Sequence, residues 1–295
     1  MQIPEQVLRR LEFTVVRRLD GFLFGDYTGV FYGPSLDLAE IRPYQPGDEV
    51  NRIDWSATAR TGVLHVRQYR EEKELTAWLV VDLSPSMSFG TRGRLKRTLA
   101  LEFTAVAAYI IARHGDKVGA YFFPERRLVP PRPGRRQVLA VLRAAQELGA
   151  AGRMGPTDLA GVLDELARVV RRRSLIFLVS DFLADGWAAP LQRLAHRHDV
   201  IAVRVMDPAE RALPDAGVVF FEDPETGRQV RVNTSDPRVR RAYAAFVQAH
   251  EARLEALFRA AGVDTLTLLT HEALVAPLLR FVAFRRRRRW RSSGR

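Results

Sequence analysis

The chain has 295 residues, 47% of them hydrophobic, so it can form one large domain or two ordinary ones with a sizeable core. It contains no cysteine, which excludes disulfide bonds, thiolate metal ligands and cysteine nucleophiles. Of its net charge of +12, seven charges come from arginines within residues 285–295, so residues 1–284 are only mildly basic.

The sequence shows no targeting or membrane-spanning signal. Residues 1–5 lack the basic segment and the apolar run of a signal peptide. No stretch approaches the roughly 18–20 apolar residues that a membrane-spanning helix needs. We therefore expect a cytoplasmic protein, and the absence of cysteine is consistent with a reducing compartment.

The first part of the chain predicts a helix followed by a β-rich element. In residues 1–20, apolar side chains recur near helical spacing, which indicates an amphipathic helix. Residues 21–74 contain scattered glycines and aromatic residues without a long helical period, which is typical of short strands and turns. We therefore predict a small β-rich element over residues 21–74.

From residue 75 to residue 284, apolar strands alternate with amphipathic helices. This alternation predicts an α/β domain with a doubly wound, mainly parallel sheet and helices on both of its faces. A hairpin is predicted within this domain, with its turn at residues 223–227. The expected strands are 75–82, 118–123, 175–181, 199–205 and 263–269, and the expected helices are 93–113, 135–148, 158–171, 188–197, 237–260 and 272–283.

Side chains with oxygen atoms follow two of the predicted strands and begin one helix. Asp82, Ser84 and Ser86 alternate along the loop after the first strand, Thr157 precedes a helix, and Asp181 ends a later strand. Ligands of open α/β sheets bind beyond the carboxyl ends of the strands, where Asp82 and Asp181 both lie. Hydroxyl and carboxylate oxygens suit a hard divalent cation, Mg2+ or alternatively Mn2+ or Ca2+.

This combination of loops resembles the metal-ion-dependent adhesion site of von Willebrand factor A domains. The resemblance implies a von Willebrand factor A-like fold over residues 75–284. It also implies that the acids lie mainly in the outer shell of the metal, so that a carboxylate from a partner protein completes the coordination. The metal would then bridge two proteins. The candidate metal ligands are Asp82, Ser84, Ser86, Thr157 and Asp181.

Each candidate ligand also has a purely structural interpretation. Thr157 could cap the helix that follows it, with Asp158 replacing it as the ligand. Asp181 is followed by Phe182 rather than by the glycine common after the last acid of many A domains, so it could be an ordinary loop acid. The two serines after Asp82 could be turn residues.

A second resemblance rests on residues 42–60, which read Arg-Pro-Tyr-Gln-Pro-Gly-Asp-Glu-Val-Asn-Arg-Ile-Asp-Trp-Ser-Ala-Thr-Ala-Arg. With Glu71, Glu72 and the loop at Asp82, this segment resembles the bacterial family called domain of unknown function 58. The resemblance implies an A-type domain preceded by a small β-rich element. It also implies linkage to MoxR-type AAA+ ATPases, with this protein as an adaptor or chaperone-like partner of the ATPase or of its client.

The same segment has two interpretations from its own chemistry. Its arginines and acids, with a turn signal at residues 46–48, indicate a structural network of ion pairs and turns. Alternatively, the segment is a docking surface for the partner. The candidate docking residues are Arg42, Tyr44, Asp48, Arg52, Asp54, Trp55 and Arg60.

Residues 285–295 are predicted to form a disordered basic tail after an apolar helix. Two alternatives give this tail a function: peripheral contact with an anionic membrane, with Trp290 at the interface, or binding to the phosphates of a nucleic acid. We expect neither as the main role, because a core helix with a solvated basic end also produces this pattern.

The sequence favours a binding protein over an enzyme. His196 and His198 face different directions on a predicted helix, and the chain lacks a Gly-x-x-x-x-Gly-Lys phosphate loop. A metal held by Asp82 and Asp181 could activate water, so a metal-dependent phosphoesterase or a nucleic-acid-binding protein is the alternative function. We expect a non-enzymatic, metal-dependent protein-interaction module.

Overall fold

The computed structural model describes residues 40–45, 48, 53–68, 75–91, 93–149 and 157–292. These residues form a small N-terminal element and a larger α/β domain. The predicted helix over residues 1–20 lies outside the described residues, and so do residues 21–39 of the predicted β-rich element.

The N-terminal element contains two strands and a short helix. Strand β1 (Glu40–Pro43) pairs antiparallel with β2 (His65–Gln68), and helix α1 (Trp55–Thr61) lies between them in the chain. The two strands agree with the prediction of a β-rich element, whereas the helix was not predicted. The helix has 7 residues, ended by Gly62 in the left-handed conformation, and is too short to produce a periodic pattern.

The larger domain contains the strands β3 (Thr76–Asp82), β4 (Lys117–Phe123), β5 (Arg127–Arg132), β6 (Leu175–Ser180), β7 (Asp199–Met206), the hairpin strands β8 (Val218–Glu222) and β9 (Gln229–Asn233), and β10 (Asp264–Leu269). Six of these strands form one sheet with the order β5–β4–β3–β6–β7–β10. Neighbouring strands are parallel except at one edge, where β5 runs antiparallel to β4. This arrangement confirms the predicted doubly wound, mainly parallel α/β fold.

Helices cover both faces of this sheet. Leu79 and Val81 of β3 point into one core, whereas Trp78 and Val80 point into the other, because successive side chains of a strand alternate between its faces. The first core is completed by α2 (Lys96–Arg113), α3 (Arg135–Gly149) and α7 (Val275–Ser292), and the second by α4 (Leu159–Val169), α5 (Ala188–Arg197) and α6 (Pro237–Ala260).

The hairpin of β8 and β9 lies between β7 and α6 in the chain, as predicted. Unlike the main sheet, it exposes most of its side chains, including Phe220 at 69%. Asp223 organises its turn by accepting hydrogen bonds from the Glu225 amide and the Thr226 hydroxyl. The hairpin is therefore a separate surface feature rather than part of the core.

Helix α7 corrects the prediction of a disordered tail from residue 285 onward. The helix continues through the arginine run as far as Ser292. The Arg285 side chain is 11% exposed and binds Asp199 at 2.8 Å and Asp264 at 2.9 Å. Helix continuation is thus supported by ion pairs to the amino ends of β7 and β10. Among the helices of the described residues, none combines the length and the apolar composition that spanning a bilayer requires.

Candidate metal centre

Asp82 lies at the carboxyl end of β3 and is buried, with 1% of its surface exposed. Its Oδ1 atom accepts a hydrogen bond from the Ser84 amide at 2.9 Å, and its Oδ2 atom accepts one from the Ser180 hydroxyl at 2.7 Å. Ser180 is the last residue of β6, the neighbour of β3 in the sheet. The carboxylate is therefore fixed between two adjacent strand ends.

Ser84 and Ser86 bring two hydroxyl groups to the same loop. Their Oγ atoms are 3.1 Å apart, and Ser84 is fully buried. Ser84 precedes a short 3-10 helix (Pro85–Ser88), but its side chain makes no capping hydrogen bond there. The backbone of both serines forms the turn after β3. Their hydroxyl groups, however, lie within hydrogen-bonding distance of each other, and that of Ser84 does not cap the 3-10 helix.

Asp181 follows β6 directly and is also buried, with 4% exposed. Its Oδ2 atom accepts a hydrogen bond from the Lys96 ammonium at 2.8 Å, and Lys96 donates a second one to Glu210 at 2.5 Å. Sequence reasoning missed both of these partners. The signal available was that Lys96 is one of three lysines in a chain that otherwise uses arginine.

The electrostatics of this cluster favour an added positive charge. Burial and the nearby negative charge of Asp181 raise the pKa of Asp82 to about 7, against the hydrogen bonds from Ser84 and Ser180. Burial opposes the charge of Lys96, but Asp181 and Glu210 raise its pKa above the usual value. Asp181 is therefore compensated by a cation, whereas the hydrogen bonds to Asp82 come from neutral donors.

Thr157 lies just before α4, and the cap of this helix is its neighbour Asp158, which accepts the Gly161 amide at 2.8 Å. The capping interpretation of Thr157 therefore does not apply. Its hydroxyl donates to Glu225 Oε1 at 2.6 Å, and its amide donates to Glu225 Oε2 at 3.0 Å. Asp158 is 62% exposed at its side chain and pairs with Arg126 at 3.4 Å.

The five candidate ligands differ in how directly they contact one another. Hydrogen bonds connect Asp82 with Ser84 and Ser84 with Ser86, and the charge of Asp181 acts on Asp82. Helix α4 leads into β6 on the second face of the sheet, so its amino end, with Thr157, lies toward the carboxyl ends of the strands. The recorded hydrogen bonds of Thr157 join it to the β8–β9 hairpin.

The oxygen donors of this cluster fit a hard divalent cation. Within the described residues, no three His, Cys, Asp or Glu side chains group closely enough to hold a metal by themselves. A cation here would therefore depend on serine and threonine hydroxyls as well as on the acids. That mixture is compatible with Mg2+, which accepts oxygen ligands and keeps several waters.

The candidate docking residues mostly have structural roles. The Arg42 guanidinium binds both oxygens of Asp48 and lowers the pKa of that carboxyl. Asp54 is buried and caps α1 by accepting the Ser56 and Ala57 amides, each at 3.0 Å.

The other residues of this set differ in exposure. The Tyr44 amide donates to the Leu64 carbonyl at 2.8 Å, and Arg60 Nε donates to the Ser56 carbonyl at 3.3 Å. Trp55, in contrast, is 67% exposed. Arg52 lies outside the described residues. Trp55 is therefore the member of the set best placed to meet a partner.

Comparison with known proteins gave relatives along nearly the whole chain. Uncharacterized protein Rv1480 of Mycobacterium tuberculosis and uncharacterized protein Mb1516 of Mycobacterium bovis are each 41% identical over 283 residues, covering 95% of this chain and 89% of the relative. Among solved structures, an aerotolerance-related membrane protein from Bacteroides fragilis matches with 13% identity and a TM-score of 0.43, over 72% of this chain and 99% of that chain.

A manganese-loaded TRAP protein of Plasmodium vivax is a second similar structure, with 16% identity and a TM-score of 0.31, over 45% of this chain and 57% of that chain. A family model described as "Protein of unknown function DUF58" matches residues 40–253. This match spans most of the chain and agrees with the resemblance carried by residues 42–60. The chain belongs to the DUF58 family.

Proposed function

We propose that this protein is a metal-dependent protein-interaction module. The observation that carries the proposal is the buried Asp82 carboxylate, set beside two facing serine hydroxyls and near Asp181 at the ends of adjacent parallel strands. A bound divalent cation would supply an electrophilic position for a carboxylate of the partner. Binding rather than catalysis is the expected outcome.

The side chains of the cluster have distinct roles in this proposal. Ser84, Ser86 and Thr157 supply neutral oxygen ligands, so the cation keeps most of its charge for the partner. Asp82 anchors the cation, directly or through water. Asp181 contributes charge from a position fixed by Lys96. We propose Mg2+ as the ion, with Mn2+ and Ca2+ as alternatives of similar ligand preference.

The proposed partner is a MoxR-type AAA+ ATPase or a client of that ATPase, in the cytoplasm. This choice follows from the family resemblance of residues 42–60, not from a contact. The exposed side chains of Trp55 on α1 and Phe220 on the hairpin are apolar surfaces that a protein partner could cover.

The metal part of the proposal is tested by titrating the purified protein with MnCl2 in a calorimeter. We expect one Mn2+ to bind the wild type and Asp82→Asn to abolish the binding heat. Asp185→Asn is the matched control, because Asp185 is an exposed acid of the loop that follows Asp181. Equal Mn2+ binding by the wild type and Asp82→Asn would remove Asp82 from the site and contradict the proposal.

The partner part is tested with the purified MoxR-type ATPase of the source organism, immobilised for biolayer interferometry. Chelators are avoided because they also strip Mg2+ from the nucleotide of the ATPase, so variants are compared at constant Mg2+. We expect at least a tenfold loss of affinity for Asp82→Asn and none for Asp185→Asn. If Trp55→Ala loses affinity for the ATPase and Asp82→Asn does not, the contact belongs to the N-terminal element instead.

The same proteins test the enzymatic alternative. Incubation with a generic phosphodiester in Mg2+ or Mn2+ should release no product above the level of Asp82→Asn. Metal-dependent hydrolysis that disappears in Asp82→Asn would replace the binding proposal by a phosphoesterase. Retention of a labelled oligonucleotide by the wild type would favour the nucleic-acid alternative.

A further inference from the structure

A glutamate of the β8–β9 hairpin, Glu225, contacts the candidate metal ligand Thr157. The hairpin leaves the carboxyl end of β7 by way of a short 3-10 helix (Pro208–Glu210), and Glu225 lies in its turn. Glu225 accepts both the hydroxyl and the amide hydrogen of Thr157, a residue 68 positions earlier in the chain. This bidentate contact connects the hairpin to the segment that begins α4.

Hydrogen bonds within the turn hold the backbone from which the Glu225 side chain extends. The Asp223 carboxylate accepts the Glu225 amide at 2.9 Å and the Thr226 hydroxyl at 2.5 Å, and the Gly227 amide returns to the Asp223 carbonyl at 2.8 Å. Glu225 is partly buried, whereas the turn residues on either side of it are exposed. The backbone of Glu225 is therefore held by the turn, and its carboxylate is held by the two hydrogen bonds from Thr157.

The direction of the hydrogen bond matters for metal binding. A threonine hydroxyl has one proton to donate and two lone pairs to offer. Because the Thr157 proton is committed to Glu225, the lone pairs of this oxygen are free to point away from the carboxylate. A carboxylate that accepts a hydrogen bond from a metal ligand also makes that ligand a better electron donor.

We propose that Glu225 positions and polarises the Thr157 hydroxyl for the divalent cation. This inference rests on the proposed function, because it needs Thr157 to be a ligand. Glu225 acts through Thr157 and is a positioning residue rather than a ligand itself. The hairpin thereby becomes part of the metal site, although it is remote from the other ligands in sequence.

The test is calorimetric titration of the full-length protein with MnCl2. Glu225→Gln should raise the Mn2+ dissociation constant about tenfold, the lower end of the effect of removing an outer-shell partner. Glu222→Gln is the matched control, because it removes the same charge from the same hairpin at a residue that contacts Gln229. Unchanged or tighter Mn2+ binding by Glu225→Gln overturns the proposal.

A double-mutant cycle separates positioning from a general charge effect. If Glu225 acts through Thr157, adding Glu225→Gln to Thr157→Ala should cause no further loss of Mn2+ affinity. Equal losses in both backgrounds overturn the proposal, because they indicate long-range attraction only. Thermal unfolding without metal verifies that every variant is folded.

Asp82→Asn separates a failure of the proposed metal site from a failure of the role of Glu225. Mn2+ binding that is absent from the wild type, or that survives Asp82→Asn, overturns the proposed function and the role of Glu225 together. Binding that Asp82→Asn abolishes but Glu225→Gln leaves unchanged overturns the role of Glu225 alone.

Discussion

Asp207 shows how one buried acid can join distant segments of this fold. It follows β7 and accepts hydrogen bonds from the Thr91 hydroxyl at 2.6 Å, the Thr270 hydroxyl at 2.6 Å and the Ala209 amide at 2.9 Å. Thr91 precedes α2 and Thr270 follows β10, so a single carboxylate connects three loops at the carboxyl edge of the sheet. No sequence motif marks this role, because its partners lie far apart in the chain.

The hydrogen bonds of Asp207 predict a loss of stability in acid. Burial opposes the charged form, but hydrogen bonds from Thr270, Thr91 and Ala209 outweigh it and lower the pKa of Asp207 from 3.8 to about 2. A lowered pKa stabilises the fold above the unfolded-state value, and this contribution disappears as the pH falls from about 4 to about 2. The expected loss from this group is about 2 kcal/mol.

Urea unfolding at several pH values between 6 and 2.5 measures this effect. The wild type and Asp207→Asn should differ in unfolding free energy at pH 6, and the difference should shrink on acidification as Asp207 takes up its proton. Asp215→Asn, at an exposed acid, serves as the control. Parallel pH curves for the wild type and Asp207→Asn would show that Asp207 does not cause the acid sensitivity.

At the scale of elements, the parallel strands could be predicted but the antiparallel edge strand could not. Strands β3, β6 and β7 are apolar runs buried along nearly their whole length, and such runs identify central parallel strands. Strand β5 contains Pro130 and Pro131, which argue against a strand in sequence. It tolerates them because it lies at the edge of the sheet, where fewer backbone amides need a partner.

The basic end of α7 is a second element whose structure could not be predicted from its local sequence. Its arginine run resembles a solvated tail, and only the fold reveals that two acids, Asp199 and Asp264, lie beside it at the amino ends of their strands. Arg285 binds both acids, so it contributes to stability and is less accessible to a membrane or to phosphates. Arg287 and Arg288, further along the same helix, are exposed.

Replacement of Arg285 by glutamine should therefore destabilise the protein. We expect a loss of about 2 kcal/mol in unfolding free energy, since hydrogen bonds to charged groups contribute about 1.5–3 kcal/mol. Arg287→Gln is the matched control, because Arg287 lies on an exposed position of the same helix. Urea unfolding compares the two variants, and equal stabilities would show that the helix end is not held by its ion pairs.

At the scale of the whole molecule, the candidate site could be located from the sequence, but the residues that bind its side chains from distant parts of the chain could not. Asp82 and Asp181 could be placed together because the carboxyl ends of adjacent parallel strands meet at one edge. Lys96 lies 85 residues from Asp181 and 114 from Glu210, and Thr157 lies 68 residues from Glu225. Contacts of such separation depend on how loops cross the sheet, which local patterns do not encode.

From the buried ion pairs of Lys96 we expect metal binding and global stability to be coupled. Its side chain is 1% exposed and its ammonium joins α2 to the loops after β6 and β7, so Lys96→Met leaves Asp181 buried without its cation. Removing one partner of a buried ion pair typically costs about 3–5 kcal/mol, and we expect a loss near the lower value because Glu210 is partly exposed. In the proposed site, a bound divalent cation would restore part of the missing positive charge.

Mn2+ should therefore stabilise Lys96→Met more than it stabilises the wild type. Thermal unfolding with and without saturating MnCl2 measures both increments, since a ligand of the native state raises the unfolding temperature. Lys117→Met is the control. Lys117 is the first residue of β4, so it lies at the amino ends of the parallel strands, and its replacement leaves the charge of the cluster unchanged. Equal Mn2+ increments in the wild type and Lys96→Met would show that the Lys96 ammonium and the cation act on separate charges.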